Sequence, residues 1–320
     1  MTKILPVASG KGGVGKSIFV ANLGVALAAR GKTVILIDLD LGGSNLHTCL
    51  GIKNRYSGLG SFIYKKEESL EALLVETEIE RLYFIHGDSL LPGTANLPFF
   101  MKQKIIRGIG RLMADYIILD LSAGSTYNII DFFLLSFSGI LITIPETTAI
   151  LNLYSFLKTT LYRLLHRSFP ARSEERRIIH NFIGNRIENS DLSFANLITN
   201  ISSFNQESGA LAKKQISAFF PGVVINMAQS DQDLAIGRDL RNISRKNMGC
   251  ELEYIGFIPR EEGIYRSIIE RLPFFILEPD SRFSQSIDLI ARKLISTLQI
   301  STPRLPIDND DLAELSNTIF

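Results

Sequence analysis

Apolar runs rich in Ile, Val and Leu alternate along the chain with longer amphipathic stretches. The runs are Ile4–Ser9, Thr33–Asp38, Arg81–His86, Tyr116–Leu121, Gly139–Pro145, Gly222–Met227 and Leu252–Pro259. Most are continuous rather than alternating, the pattern of strands buried on both faces of a parallel sheet. Between them the spacing predicts helices. Ser17–Arg30 sets Phe19, Leu23, Ala26 and Leu27 on one face, with Gly31 as its stop. Leu97–Ala114, Thr147–Leu165, Asp231–Asn247, Glu261–Arg271 and Arg282–Leu298 read the same way. Strand and helix in repeated alternation predict an α/β fold: a doubly wound, mostly parallel sheet with helices on both faces.

One segment breaks the rhythm. From His166 to Ala218 the chain is rich in Arg, Asn and Ser, and it reads as a mostly helical insertion at about 166–218. From Lys158 to Arg186 seven lysines or arginines face two glutamates. A solvated helical face explains this, and so does a surface for phosphate, lipid headgroups or a partner. Ser286–Leu298 is amphipathic and is expected to pack as the last core helix. Residues 1–300 are expected to form a single domain, and 301–320, with two prolines and several acids, a mobile acidic tail.

Composition narrows the class. Hydrophobic residues at 46% and charged residues at 21% exclude disorder of the whole chain. A formal charge of +1 argues against bulk-charge binding of nucleic acid. Cys49 and Cys250 make no metal-ligand spacing and no disulfide framework, which fits a reducing cytosol. Gly10 follows the N-terminal Met too closely for a signal peptide, and Phe132–Ile144 is too short to span a bilayer.

The strongest chemical signal is the segment from Ser9 to Ser17, Ser-Gly-Lys-Gly-Gly-Val-Gly-Lys-Ser, between a buried strand and a helix. Its glycines let successive backbone N–H groups turn toward one centre, and the helix start adds partial positive charge. Lys16 can reach the β- and γ-phosphates of a nucleotide, and the Ser17 hydroxyl can bind Mg²⁺. Gly10, Gly12 and Gly15 also satisfy the dinucleotide pattern G-x-G-x-x-G, with Asp38 at the ribose position. The full G-x-x-x-x-G-K-S match favours a nucleoside triphosphate. So does Asp120, which ends a strand where a second Mg²⁺-shell carboxylate is needed.

Lys11, directly after the first glycine, carries the reading further. The loop resembles the deviant Walker A motif of the MinD/ParA family of ATPases, and the resemblance spans about residues 1–165 and 219–298. It implies a P-loop NTPase fold, ATP and Mg²⁺ as cofactors, and Mg²⁺-dependent ATP hydrolysis that is slow without a partner. Gly10, Lys11, Gly12, Gly13, Val14, Gly15, Lys16, Ser17 and Ile18 would then hold the nucleotide. Ser17, Asp38 and Asp120 would hold Mg²⁺, the acids through water. The stretch from Asp38 to Leu46 resembles a first switch, in which Asp40 positions or activates the attacking water. Asp120–Ser125 resembles a second switch. Lys11 would reach across a dimer to the partner's phosphates, in the manner of an arginine finger. Adenine recognition would fall to Asn226 and to the loop Pro259, Arg260, Glu261. Asn181 is the rival for the asparagine.

Within the family, the segments around Asn226 and Pro259 are most similar to the FlhG/MinD branch. That similarity implies a spatial regulator of flagellar placement or number, or of cell division. Two other readings stay open. One is a partition ATPase of the ParA type that binds DNA through Arg238, Arg241, Arg245 and Lys246 with Arg163, Arg167, Arg176 and Arg177. The other is an ATP-dependent carrier of metal or iron–sulfur clusters, which two distant cysteines disfavour. The implied partners are a second copy in the ATP-bound state and an activating protein. Membrane surface and DNA remain open without support from the sequence. The expected location is the cytoplasm, with the inner face of the cell membrane as a peripheral alternative.

Overall fold

The computed structural model describes residues 2–53, 57–87, 97–188, 193–230 and 232–296, with Asp311, Leu312 and Leu315 beyond them. Its first half runs β1 (Lys3–Ala8), α1 (Lys16–Ala29), β2 (Val34–Leu39), α2 (Leu46–Cys49), α3 (Leu59–Ile63), β3 (Val75–Glu76), β4 (Leu82–Ile85), α4 (Phe99–Ile109), β5 (Tyr116–Leu121), α5 (Tyr127–Phe133) and β6 (Ile140–Thr143). The second half runs α6 (Thr147–Ser168), α7 (Glu174–Glu188), α8 (Phe194–Phe204), α9 (Gln206–Ala218), β7 (Gly222–Ala228), α10 (Asp233–Met248), β8 (Glu253–Pro259), α11 (Ile264–Glu270), α12 (Phe274–Leu277) and α13 (Arg282–Ser296).

The strands form one sheet in the order β3-β4-β2-β5-β1-β6-β7-β8. Neighbours are parallel except β3 and β4, which are antiparallel. The chain leaves β1 for one side of the sheet and later returns to pair β6 on its other side. The carboxyl end of β1 is therefore a topological switch point, where open α/β sheets bind their ligands.

Side-chain alternation divides each strand between two cores. Ile35, Ile37, Ile117 and Leu119 join one, with α4, α5 and α6. Val34, Leu36, Tyr116 and Ile118 join the other, with α1, α12 and α13. Helix α1 is covered nearly all round, and Gly24 lets it settle on the sheet. A Cβ there would meet Leu36 Cδ2 at 2.9 Å and Leu82 Cδ1 at 3.2 Å. Helix α13 buries Phe283, Ile287, Ile290 and Ala291, as the sequence leads one to expect of a last core helix.

The insertion is helical, in α7, α8 and α9. Phe182, Phe194, Leu197, Ile201 and Ile216 are buried in the same core that α6 feeds. The Phe194 ring lies 4.5 Å from that of Tyr162 on α6. Much of the basic excess is paired within the chain. Arg163 and Arg167 both reach Asp131, Arg176 Nε donates to the Phe169 carbonyl, and Arg177 pairs with Glu174.

The tail departs from expectation at three residues. Asp311 pairs with buried Arg241, Leu312 is buried, and Leu315 packs on the core. An acid followed by leucines one and four residues on supplies one charged and two apolar anchors, and each of the three finds a partner in the body of the protein. The rest of residues 297–320 lies outside the described residues.

Candidate functional site

Period-two alternation fixes the site before any contact is counted. Leu36 and Ile118 face α1, so Asp38 and Asp120, two residues on, face it too. They sit directly opposite each other on neighbouring strands. Lys16, the first residue of α1, pairs its ammonium with the Asp120 carboxylate, and both are buried.

The loop from Gly10 to Gly15 gets its path from glycine. Gly13 and Gly15 take φ values of +80° and +83°, in the left-handed region. Gly10 lies against the backbone of α6, where a Cβ would stand 2.4 Å from the Asn152 carbonyl carbon. A Cβ on Gly12 or Gly13 would meet nothing closer than Ala123 Cβ at 3.9 Å, so this side of the loop opens to the space where phosphates would lie. Ser9 and the loop are tied to the segment after β5 by the Gly124 N–H, which donates to the Ser9 carbonyl at 3.0 Å.

The acids are crowded. Asp38 is fully buried and accepts from the Asp40 N–H at 3.0 Å, the Ser44 hydroxyl at 2.6 Å and the Leu46 N–H at 3.1 Å. It thereby gathers residues 38–46 around one carboxylate. Burial, and then the charge of Asp120, push its pKa up to about 7. The thiol of Cys49 is pushed up to about 12 by burial and the same two carboxylates. Asp120 Oδ2 is buried with no hydrogen-bond partner among the described residues. Two opposed carboxylates, one with an orphaned oxygen, fit a divalent cation: it would satisfy that oxygen and relieve the repulsion. Ser17, half-buried at the same helix start, completes an all-oxygen donor set of the kind Mg²⁺ takes.

Beyond the last strand pair, the Ser122 hydroxyl donates to Asp40 Oδ1 at 2.8 Å and so joins the segments that follow β2 and β5. Asp40, Gly42, Ser122, Ala123, Thr126 and Ile129 are among the residues lining a cavity of about 270 Å³ beside it. Lys11 is 39% exposed, and its Nζ lies 3.0 Å from Glu146 Oε2 and 3.3 Å from Thr148 Oγ1.

Asn226 is brought to the loop, but in a way the sequence does not disclose. Its Nδ2 donates to the Val14 carbonyl at 2.8 Å, and a Cβ on Gly15 would meet that nitrogen at 2.4 Å. This amide braces the phosphate loop from below. Pro259, Arg260 and Glu261 follow alongside: Pro259 is level with Ala228, and the Arg260 N–H donates to the Ala228 carbonyl at 3.0 Å. Asn181 lies exposed within α7, not at a strand end. Ser44, Ser122, Glu146 and Thr148 touch the candidate site residues and are not singled out by sequence reasoning. Only Ser44 and Ser122, inside the two switch segments, carried any signal.

The two cysteines pack on opposite faces of the sheet, Cys250 in one core and Cys49 against the other. No described helix is long and apolar enough to cross a membrane.

Residues 5–274 match the family model of the CobQ/CobB/MinD/ParA nucleotide binding domain. The chain is 27% identical over 312 residues to the flagellum site-determining protein YlxH of Helicobacter pylori, covering 95% of this chain and 86% of that protein. It is 38% identical over 126 residues to the septum site-determining protein MinD of Thermotoga maritima, covering 39% of this chain and 45% of that protein. Among solved structures, MinD of Pyrococcus horikoshii, complexed with Mg-ADP, superposes with a TM-score of 0.61 at 20% identity, over 95% of this chain and all of that one.

Proposed function

The chain belongs to the CobQ/CobB/MinD/ParA nucleotide-binding family, and from that membership we propose that it is an ATP-hydrolysing switch that dimerises on ATP. The observation that carries the proposal is the pairing of a buried Lys16–Asp120 site with a second, half-exposed lysine on the same loop. The loop N–H groups and Lys16 would bind the triphosphate. Ser17, Asp38 and Asp120 would hold Mg²⁺, which supplies charge neutralisation at the phosphates. Asp40, oriented by Ser122, would position the attacking water. Lys11 would exchange Glu146 for the phosphates of a second copy and stabilise charge developing there.

The biological role we propose is placement or number control of flagella, in preference to septum placement. Support comes from the likeness to YlxH, which covers 95% of this chain, whereas the likeness to the MinD of Thermotoga maritima covers 39% of it. An activating protein is part of this proposal. The DNA reading has less support, because Arg163, Arg167, Arg176, Arg177, Arg241 and Arg245 all have internal partners. The iron-carrier reading is disfavoured by cysteines on opposite faces of the sheet.

Light scattering with ATP and Mg²⁺ tests the assignment. Asp40→Ala should bind ATP, lose about 10²–10⁴-fold in hydrolysis rate and accumulate as a dimer. Lys11→Ala should bind ATP and stay monomeric. A monomeric Asp40→Ala protein, or a Lys11→Ala protein that dimerises, overturns the roles given to these residues.

A further inference from the structure

Among the described residues strand β8 pairs with β7 and with no second strand, so its other edge must find acceptors elsewhere. At Tyr254 the missing acceptor comes from far along the chain: its N–H donates to Asp311 Oδ2 at 3.0 Å. The same carboxylate pairs with Arg241 of α10, a side chain only 1% exposed. Arg241 also donates through Nε to the Leu252 carbonyl at 3.2 Å, and its guanidinium lies 4.8 Å from the Tyr254 ring centre. The next residue, Leu312, fills the space above Gly237. A Cβ on Gly237 would meet Leu312 Cδ2 at 3.2 Å, Ile225 Cδ1 at 3.1 Å and Tyr254 Cε1 at 3.2 Å. Leu315, one turn on, packs against the same core.

This face has the parts of a peptide-recognition groove: a buried guanidinium and a strand-edge N–H for one carboxylate, and an apolar hollow for the following leucine. Its far wall leads to the phosphate loop. Ile225 touches the hollow, its neighbour Asn226 holds the Val14 carbonyl, and Met227 approaches Gly15. Met227 has φ +55°, a strained conformation that its surroundings must hold.

We infer that the α10–β8 face is a docking groove for an Asp-Leu-x-x-Leu turn, occupied in cis by the chain's own Asp311, Leu312 and Leu315, and that seating this turn tightens the phosphate loop through β7. The coupling rests on the nucleotide reading above; the groove does not. Residues in packed contact along such a path shift a remote affinity by on the order of 2- to 30-fold.

The test compares the full chain with one ending at residue 310, using a fluorescent peptide of residues 305–320. Anisotropy without nucleotide should show saturable binding to the shortened chain. Binding to the full chain, whose own turn fills the groove, should be at least tenfold weaker. An Asp311→Asn peptide should also bind at least tenfold more weakly. Calorimetry should show that the shortened chain binds Mg-ADP several-fold more weakly and that saturating peptide restores the affinity. In the full chain Asp311→Asn should speed hydrogen exchange at the Tyr254 amide, which keeps the groove testable if the shortened chain folds poorly. No peptide binding to a folded shortened chain overturns the groove. Equal ADP affinities with and without the turn overturn the coupling. A nucleotide-independent dimer that is lost on shortening places the turn on a second copy and overturns the cis assignment. If the full chain binds no ADP at all, the nucleotide reading fails and the peptide titration alone decides the groove.

Discussion

Two buried carboxylate sites, one on a helix and one on two neighbouring strands, are built to opposite ends. At Asp131 on α5 the cations outnumber the acid: Arg163 donates twice, at 2.7 and 2.8 Å, Lys102 pairs with it, and Arg167 lies 3.5 Å away. Burial alone would raise this carboxyl, but the hydrogen bonds from Arg163 and Lys102 outweigh it and hold the pKa below its usual value. At Asp38 and Asp120 two acids face each other and Lys16 pairs with Asp120, Asp38 is raised to about 7, and one Asp120 oxygen has no hydrogen-bond partner among the described residues. The first arrangement is complete as it stands and fixes α4, α5 and α6 to one another. The second has electrostatic work left over for a ligand. A surplus of acid beside a loop of free N–H groups is a worse core and a better site for a cation and an anion bound together.

The largest effect should come from Lys16→Ala. It should abolish Mg-ADP and Mg-ATP binding, because the triphosphate would lose the ammonium that faces it while Asp38 and Asp120 remain as uncompensated negative charge. The fold should survive, since the two strands that carry the acids keep their apolar partners. Calorimetry showing unchanged affinity would remove Lys16 from the site.

Asp131→Asn is the mirror experiment. It leaves Lys102 buried beside two arginines, at a cost of about 3 kcal/mol, the lower end for a broken buried pair because Arg163 and Arg167 can turn to water. Nucleotide affinity should not change beyond what partial unfolding explains. A variant that unfolds at the wild-type urea midpoint would erase the contrast between the two sites.

The contrast also measures what the sequence disclosed. The phosphate loop, the two acids and the seven parallel strands were legible because each is local: a glycine spacing, a strand-end carboxylate, a continuous apolar run. Strand β3 escaped because two residues at a sheet edge have no periodicity to read. Helices α5 and α12 escaped because their apolar residues carry no clear helical spacing in so short a run. What depends on distant residues stayed hidden. Asp131 shows no sign in the sequence of Arg163, 32 positions on. Asn226 and Val14 are 212 apart, and Arg241 and Asp311 are 70 apart.

Asn226→Ala sharpens the middle ground between bracing and recognition. As a reader of adenine, its loss should cost about 1–3 kcal/mol of discrimination between ATP and GTP. As the brace of Val14, its loss should weaken both nucleotides alike. The bond to Val14 predicts that the common loss dominates, with a smaller loss of preference. A variant that keeps its affinity for both nucleotides would mean that the loop holds its shape without this amide.

The smallest effect is a pH slope. Asp38 titrates at about 7 in the folded chain and near the ordinary carboxylate value of 3.8 when unfolded. Between those values the folded chain holds a proton that the unfolded chain has released. Its contribution to stability is therefore complete below about pH 4 and is lost as pH rises through 7, at no more than ~1.4 kcal/mol per unit. His86 has the opposite sign. Burial, and then His47, drive it down to about 4, so the unfolded chain holds the extra proton up to its ordinary value of 6.5. Its contribution rises with pH over that interval and is nearly complete above it. Asp131, held below the usual carboxylate value, has finished titrating well before. His47 and His166 are pulled down by burial as well, and an unfolded imidazole is still half protonated at its ordinary value of 6.5, so the histidines go on adding stability above that pH. The acid-rich site is therefore read from the difference between the chain and its Asp38→Asn variant, in which the histidine contributions cancel. Relative to that variant the urea midpoint should fall as pH rises through 7, and saturating Mg-ADP should flatten the fall, because a cation between Asp38 and Asp120 favours their ionised forms. A difference that stays level with pH without Mg-ADP would mean that Asp38 is already ionised well below neutral pH, and that the two carboxylate sites differ less than their surroundings indicate.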